Sequence, residues 1–339
     1  FEHPNLSTLI QFKLQDKNID LILKEPILKH DLLERMYQFP DMSWQGTLSS
    51  KEFTLQSQWQ ESKFSLRIIP NKMDIKASSL HLESQVDFEN ILEWLELKKQ
   101  LRPNNFSAKG SLQLNLDWKD NALKQIHFDV QDLDIIGEVF PVQQMRQIGI
   151  SYYPIHAQTS RFLGNRSADW VPYSKLGWLK EAVIAAEDSQ FNSHKGLNLK
   201  GINEALNKSQ LDSFSSGGSS ITQQLAKNIF LNNKKSLERK LLELIYTISL
   251  EKNFSKESIL TFYLNAIEFG PNIYGLKQAS SHYFLKSPQN LTIREATFLA
   301  AILPNPLDGY KKAQLDQVPK YKIDQIIQNI FNGKNIFPQ

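Results

Sequence analysis

Residues 187–196, E-D-S-Q-F-N-S-H-K-G, follow an apolar helical pattern and carry more reactive side chains than a helix end needs. The apolar residues before them recur at helical spacing and predict one buried face, formed by Leu179, Ala182, Val183 and Ala186. Glu187 lies one turn after Val183, so we expect its carboxylate at the edge of that face. Partial burial raises a carboxyl pKa toward the range of a general base. This stretch therefore predicts an active-site wall.

Composition sets limits on the protein class. The chain has 339 residues, enough for two domains, and its 41% hydrophobic and 22% charged residues are typical of a globular protein. A net charge of +3 predicts no nucleic-acid partner, and the absence of cysteine excludes disulfides and thiolate nucleophiles. No apolar run is long enough to span a bilayer. Because the chain starts at Phe1, we expect a fragment that lacks an upstream N-terminal anchor.

Residues 1–149 are predicted to form a β-rich domain. Period-two alternation around the turn at residues 16–18 predicts one hairpin, and the same pattern around residues 119–121 predicts another. Between them, residues 88–97 have the spacing of an amphipathic helix. The histidines in this region lack metal-ligand spacing, so it is interpreted as a binding or spacer domain with an unknown protein or cell-wall partner.

Residues 150–339 are predicted to form a second, mostly helical domain. The mixture of proline, glycine and asparagine in residues 149–167 is typical of a linker. Helical periodicity begins near Trp170 and includes a helix over residues 256–265, in which Tyr263 is expected in the core. The fold class is therefore α+β.

Residues 213–228, S-F-S-S-G-G-S-S-I-T-Q-Q-L-A-K-N, predict a serine- and glycine-rich loop that leads into a helix. Ser220 and Gln223 fit a capping box, with Ile221, Leu225 and Ile229 on the core face. A glycine-rich loop before a helix N-terminus suits an anionic ligand, although the nucleotide P-loop motif is missing. Without other evidence, a flexible loop with a good cap is the simpler interpretation.

A basic cluster follows, consisting of Lys227, Lys234, Lys235, Arg239 and Lys240. The next helix is predicted to bury Leu237, Leu241, Leu244 and Ile248, with Glu243 on the adjoining polar face. A solvated face with an Arg239–Glu243 pair, worth about 0.3–0.5 kcal/mol, is one interpretation. A pyrophosphate clamp beside a second carboxylate is the other.

Five segments together resemble the peptidoglycan glycosyltransferases of family 51. Residues 187–196 resemble the family signature E-D-x-x-F-x-x-H-x-G. Four more segments match the family's motifs in the same order: G-G-S-S-I-T-Q-Q-L-A-K-N, K-S-L-E-R-K-L-L-E, K-E-S-I-L-T-F-Y-L-N, and A-S-S-H-Y-F-L-K with I-L-P-N-P after it. W-V-P-Y before the first motif resembles the monofunctional branch, and S-x-x-K and K-T-G of transpeptidases are absent. The resemblance covers residues 150–310.

The resemblance implies a lysozyme-like lobe and a smaller hydrophobic jaw at the membrane. It also implies polymerisation of lipid II onto a nascent glycan strand, at the periplasmic face of the bacterial inner membrane. Residues 206–214 are either jaw surface in contact with lipid or a short packed helix. No cofactor is required, but the resemblance allows Mg²⁺ or Mn²⁺ at the donor diphosphate, with Glu243 as a ligand.

The resemblance also implies residue roles. Glu187 is the base that deprotonates the acceptor 4-hydroxyl, which displaces the diphosphate with inversion, and Glu243 orients the donor or its cation. Substrate-binding positions are Asp188, Phe191, His194, Ser219, Ser220, Thr222, Gln223, Gln224, Lys227, Asn228, Lys235, Arg239 and Lys240. The cations among them would stabilise the leaving diphosphate.

Two positions depart from the family pattern. Ser220 replaces the usual threonine and keeps the hydroxyl, whereas Lys235 replaces an arginine and loses the bidentate phosphate contact, which predicts weaker donor binding. Two other functions stay open. One is a lysozyme-like hydrolase that uses Glu187 as an acid. The other is a non-catalytic cell-wall scaffold.

Overall fold

The computed structural model describes residues 2–3, 6–29, 35–49, 51–70, 79–101, 105–119, 122–157, 159–208, 218–234 and 236–333. The chain divides into two compact units. The first comprises Phe1–Val139, Leu199–Gly218 and Lys235–Leu242, and the second comprises Phe140–Asn198, Ser219–Lys234 and Glu243–Gln339. The N-terminal region is β-rich and the C-terminal region is helical, so the predicted α+β class is confirmed. The predicted domain division at residues 149 and 150 stays a prediction.

In the residues that the structure describes, the β-rich region forms a ten-stranded antiparallel sheet. Nine strands follow the order β1-β2-β3-β5-β6-β7-β8-β9-β10, and β4 pairs with β3. The strands are β1 Glu2–His3, β2 Leu6–Gln15, β3 Asn18–Leu28, β4 Tyr37–Gln38, β5 Met42–Leu48, β6 Phe53–Trp59, β7 Ser62–Ile69, β8 Ser79–Asp87, β9 Phe106–Lys119 and β10 Ala122–Gly137.

Both predicted hairpins are present. Strands β2 and β3 pair from Gln15 opposite Asn18, and Asp16 takes a left-handed conformation with φ 54° in the turn. Strands β9 and β10 pair from Lys119 opposite Ala122; the two turn residues between them lie outside the described residues. Local alternation and turn chemistry therefore sufficed to predict this part of the sheet.

Over three neighbouring strands, β7, β8 and β9, the sheet has one apolar and one polar face. Leu82 on β8 lies between Leu66 on β7 and Leu116 on β9. In the adjacent row, His81 and Asp117 are partners, and His81 Nδ1 lies 2.5 Å from Asp117 Oδ1. Because successive side chains on a strand point to opposite faces, the two rows lie on opposite sides of the sheet.

The predicted helix over residues 88–97 is present as α1, Phe88–Trp94, followed by a short 3-10 helix, Leu97–Gln100. The side chain of Asp87 caps α1 by accepting from the backbone N–H of Asn90 at 3.0 Å. Phe88 and Leu92 are fully buried, which anchors α1 against the sheet.

The remaining helices are α2 Val142–Gln147, α3 Leu179–Glu187, α4 Leu199–Lys208, α5 Ile221–Phe230, α6 Leu237–Asn253, α7 Lys256–Ala266, α8 Leu276–Phe284, α9 Ile293–Ile302, α10 Pro306–Gln314 and α11 Lys320–Gly333. Helix α4 and residues 237–242 of α6 belong to the first unit. In the second unit, α3 packs on α9 and α11, and α5 packs on α7. In the described part of the chain, no helix is both long and apolar enough to cross a bilayer.

The predicted linker at residues 149–167 is wrong in part. Two three-residue strands, β11 Ile150–Tyr152 and β12 Arg161–Leu163, pair in this segment. Ile150, Tyr152 and Leu163 are buried, and the Tyr152 hydroxyl donates to the carbonyl of Ala266 at 3.0 Å. Strands of three residues are too short to show a reliable period, so turn residues dominated the sequence pattern. A second short hairpin pairs β13 Glu268–Gly270 with β14 Ile273–Tyr274.

Candidate active site

Glu187 is the last residue of α3, as the apolar pattern predicted. Leu179, Ala182 and Val183 on the same helix are completely buried, whereas Ala186 is only half-buried. Glu187 is half-buried at the end of this face. The helix therefore presents a carboxylate at the border between core and solvent, where desolvation is partial.

Glu187 is held by an amide. Gln224 on α5 donates from Nε2 to Glu187 Oε2 at 2.9 Å, and Gln224 Oε1 accepts from the hydroxyl of Tyr263 at 2.8 Å. Burial raises the pKa of Glu187, and the charge of Asp188 adds to this, while the Gln224 hydrogen bond and the charge of Lys322 oppose it. The result is an oriented carboxylate that binds a proton more readily than an exposed glutamate.

Asp188 is buried and connects two motifs. One of its oxygens accepts from the backbone N–H of Ile221 at 3.0 Å, at the N-terminus of α5. His194 Nε2 lies 2.9 and 3.0 Å from its two oxygens, and the N–H of Gly196 donates to His194 Nδ1 at 3.1 Å. Because Nδ1 accepts, Nε2 carries the proton and donates to Asp188. Asp188 and His194 therefore fix the loop after Glu187 to the start of α5.

The predicted capping box at α5 is confirmed. The hydroxyl of Ser220 accepts from the N–H of Gln223 at 3.1 Å, and Gln223 Oε1 accepts from the N–H of Ser220 at 3.0 Å. The same hydroxyl donates to the carbonyl of Gly196 at 2.5 Å. The cap therefore also secures the end of the 187–196 loop. The first part of the predicted loop, residues 213–217, lies outside the described residues.

Glu243 is buried, at 2% exposure, rather than on the polar face expected from sequence. Gln223 Nε2 donates to its Oε1 at 3.5 Å. Gln223 and Gln224 are neighbours on α5, so adjacent amides contact the two predicted acids within one unit. Leu237 was expected to be buried but is 42% exposed, because it is the first residue of α6 and has no preceding turn to pack against.

Phe191 and Thr222 are enclosed by protein. Lys256 lies 4.5 Å above the ring of Phe191 and bonds Glu251 at 2.7 Å. The hydroxyl of Thr222 donates to the same carboxylate. The side chains of Phe191 and Thr222 are at most 1% exposed, so they pack beneath the surface of the candidate site and do not line that surface.

The predicted basic residues lie in different parts of the chain. Lys227 is half-buried on α5 in the second unit, whereas Arg239 and Lys240, also half-buried, belong to the first unit. Lys235 lies outside the described residues. Ser219 is exposed before α5, and Asn228 Nδ2 donates to the carbonyl of Gln224 at 2.8 Å. Their roles in substrate binding stay predictions.

Two residues that act on Glu187 were not predicted from the sequence. Tyr263 was assigned only to the core, yet its hydroxyl orients the amide that holds Glu187. Lys322 on α11 acts on Glu187 through its charge and donates to the carbonyl of Ala301 at 2.8 Å. Tyr263 lies in the quoted motif K-E-S-I-L-T-F-Y-L-N, which could have pointed to it, whereas Lys322 lies beyond residues 150–310, to which the sequence resemblance was limited.

The half-buried acid, with its pKa raised and one oxygen fixed, belongs to the class of acid–base sites. A family model described as Transglycosylase matches residues 156–330, about half of the chain. The chain belongs to the transglycosylase family. This confirms the predicted family and the predicted peptidoglycan glycosyltransferase activity.

Several similar proteins have the name biosynthetic peptidoglycan transglycosylase. The Acinetobacter baylyi protein is 48% identical over 155 residues, which cover 45% of this chain and 69% of that protein. The Thiobacillus denitrificans protein is 45% identical over 139 residues, which cover 40% of this chain and 60% of that protein. An Acinetobacter baumannii protein is 43% identical over 170 residues, which cover 50% of this chain and 75% of that protein. The chain thus aligns with 60–75% of the length of these relatives.

Proposed function

We propose that this chain polymerises lipid II into glycan strands, with Glu187 as the general base. Glu187 removes the proton from the 4-hydroxyl of the acceptor sugar, and that oxygen attacks the anomeric carbon of the donor. The bond from this carbon to undecaprenyl diphosphate breaks with inversion. The observation that carries this proposal is the raised pKa of an oriented, half-buried carboxylate in a transglycosylase chain.

The hydrogen bonding of Glu187 suits a base. Gln224 fixes Oε2, while Oε1 accepts no hydrogen bond from any residue that the structure describes. A sugar hydroxyl can therefore approach one oxygen without competing for the other. Because the side chain is half-buried, the base is desolvated yet reachable.

The leaving diphosphate requires positive charge. Lys227, Arg239 and Lys240 are our candidates, and Lys235 joins them by its place in the motif. A preorganised donor at a developing anion contributes roughly 3 kcal/mol to transition-state stabilisation. The half-buried state of Lys227, Arg239 and Lys240 supports this role, because it limits their hydration without enclosing them.

A divalent cation is compatible with the proposal. Among the described residues, no three carboxylate, imidazole or thiol groups converge on one metal site. Mg²⁺ usually takes only one or two carboxylates together with substrate phosphates. Glu243, which accepts a weak hydrogen bond from Gln223, is the candidate ligand. The bound cation would neutralise diphosphate charge; the proposal itself requires no cofactor.

The wider setting also belongs to the proposal. The family acts in the bacterial cell envelope, and we place this chain at the periplasmic face of the inner membrane, where a lipid-linked donor would be presented. We further propose a lysozyme-like lobe and a hydrophobic jaw that contacts lipid. The candidate for the jaw surface is the amphipathic stretch at residues 206–214, of which residues 209–214 lie outside the described residues.

Incubation of the full chain with labelled lipid II in detergent tests the proposed function. We expect polymeric glycan from the wild type and none from Glu187→Gln. Glu257 lies exposed on α7, so Glu257→Gln is the matched control and should polymerise normally. Muropeptides released from purified cell wall, without polymer from lipid II, would instead identify a hydrolase. Binding without either product would identify a scaffold.

A further inference from the structure

A buried hydrogen bond joins the β-rich region to the first turn of α6. Tyr37 on β4 donates from its hydroxyl to Glu238 Oε1 at 2.7 Å, across 201 positions of sequence. Tyr37 is 4% exposed and Glu238 is fully buried. Both residues belong to the first compact unit. Tyr37 lies outside the segment that the transglycosylase family model matches, residues 156–330.

Tyr37 is built to act as a fixed donor. Burial, followed by the hydrogen bond to Glu238, raises the pKa of Tyr37 to about 12, so its hydroxyl keeps the proton at neutral pH. The guanidinium of Arg35 lies 5.1 Å from the centre of the Tyr37 ring and bonds Glu96 at 2.5 Å. These contacts hold the ring in place. The hydroxyl of Tyr37 is one of the groups that compensate the buried carboxylate of Glu238, so loss of this hydroxyl would disfavour the present position of that carboxylate.

Glu238 directly precedes two of the predicted diphosphate-binding cations. Arg239 and Lys240 follow it in the first turn of α6, and the N–H of Arg239 donates to the hydroxyl of Ser236 at 3.1 Å. Within one helical turn, backbone positions are fixed relative to one another. A shift of Glu238 would therefore move Arg239 and Lys240 with it.

A second contact ties another segment of the family region to the sheet. Asn203 on α4 accepts from the N–H of Phe128 through Oδ1 at 2.7 Å, and its Nδ2 donates to the carbonyl of Phe128 at 2.7 Å. Asn203 thus satisfies both backbone groups of one residue on β10, as a neighbouring strand would. Both segments that the first unit takes from the family region, Leu199–Gly218 and Lys235–Leu242, are therefore bonded to the sheet.

We propose that the β-rich region supplies Tyr37 as a positioning residue for the glycosyltransferase. Through Glu238, Tyr37 fixes the helical turn that carries Arg239 and Lys240, and so sets the affinity for the lipid-linked diphosphate donor. This inference rests on the proposed function of those two cations. It gives the β-rich region a role within the same chain, in addition to any external partner.

The test compares Tyr37→Phe with Tyr152→Phe in the full chain. Tyr152 is 3% exposed and donates one hydrogen bond to a backbone carbonyl, so it is a matched control for loss of a buried hydroxyl. With lipid II, we expect Tyr37→Phe to raise the donor KM roughly five-fold or more, with kcat changed less than about two-fold. Tyr152→Phe should leave KM unchanged.

A binding measurement separates this inference from the proposed function. Calorimetric titration with geranylgeranyl diphosphate in detergent micelles should show a Kd raised by a similar factor in Tyr37→Phe alone. This readout needs no turnover, so it decides the inference even if the wild type makes no polymer from lipid II. Absence of diphosphate binding by the wild type would overturn the inference.

A double-mutant cycle tests the proposed route through the cations. If Tyr37 acts through Arg239 and Lys240, Tyr37→Phe should weaken diphosphate binding much less when Lys240→Ala is already present. Fully additive effects would contradict the proposed route. Equal losses of thermal stability in Tyr37→Phe and Tyr152→Phe, with KM and Kd unchanged in both, would reduce Tyr37 to a structural residue and refute the proposal.

Discussion

The β-rich region and the helical region bury different kinds of polar side chain. Among the described residues up to 139, the buried polar side chains are uncharged: Thr8, Ser57, Ser62 and Asn90. After residue 150, four carboxylates are buried in the described part of the chain, namely Asp188, Glu238, Glu243 and Glu268. The sheet is stabilised by its ladder and its apolar face, whereas the helices enclose charge.

This difference indicates where the chemistry lies. Burial of a carboxylate is costly unless hydrogen bonds or charges compensate it, so charge is buried mainly where a fixed geometry is needed. Asp188 connects the Glu187 loop to α5, and Glu243 contacts the same helix through Gln223. Four substitutions test this contrast.

The largest expected effect is that of Glu187→Gln. The amide cannot accept the proton of the acceptor hydroxyl, so polymerisation should fall by about 10²–10⁴-fold or more. The rate of polymer formation from labelled lipid II measures this loss, and circular dichroism should show an unchanged fold. Activity within ten-fold of wild type would contradict the role of Glu187 as base.

Asp188→Asn should have the next largest effect. Asn cannot serve both His194 and the N–H of Ile221 as an acceptor without placing its own donors against them. We expect a loss of about 1–3 kcal/mol in the free energy of unfolding, measured by urea denaturation, together with reduced activity. Asp117→Asn in the sheet is the comparison, because Asp117 forms an exposed pair with His81. Asp117→Asn should change the free energy of unfolding by less than about 1 kcal/mol and leave activity intact. Equal losses of stability in Asp188→Asn and Asp117→Asn would contradict the difference between the two regions.

Gln224→Leu should move the pH dependence of polymerisation. The amide hydrogen bond favours ionised Glu187, so its removal should raise the pKa of Glu187 further. Because the base must be deprotonated, activity rises with pH through this pKa, and the acid limb should shift to higher pH. The rate at high pH should also drop, by about ten-fold, because the carboxylate is no longer oriented. If the acid limb does not shift, the Gln224 hydrogen bond does not influence the pKa of the group whose deprotonation limits the rate.

The smallest expected effect is that of Ser220→Ala. Loss of the cap should lower the free energy of unfolding by about 1–2 kcal/mol, at the upper end because the hydroxyl also bonds Gly196. Ser220→Thr keeps the hydroxyl and should stay close to wild type in thermal denaturation. Equal losses for the two variants would mean that the hydroxyl is not the stabilising group.

Local patterns predicted much of the fold. The hairpin at Asp16, the end of α3 at Glu187 and the cap at Ser220 each depend on residues within a few positions of one another. Such contacts follow from turn chemistry, periodicity and capping, which a sequence displays directly. The same patterns failed for Ile150–Tyr152, which is too short to show a period.

Long-range contacts could not be predicted in this way. Tyr37 and Glu238 are 201 positions apart, and neither pattern nor spacing links them. Glu243 looked like part of a solvated face, because helical spacing alone does not reveal which neighbours cover a polar side chain. The order of the family motifs assigned both Glu187 and Gln224 to the candidate site. The hydrogen bond between them depends on how their two helices pack and is not visible in the sequence.

Gly196, at the end of the first motif, limits how far the chain can vary there. Its φ is +88°, and an added Cβ would lie 2.7 Å from Thr247 Cγ2 and 2.8 Å from Glu251 Cγ. Because Glu251 is already shared by Thr222 and Lys256, a larger residue at position 196 would disturb more than its own loop. A saturation library at this position should therefore return glycine almost alone, even when selection acts on folding rather than turnover.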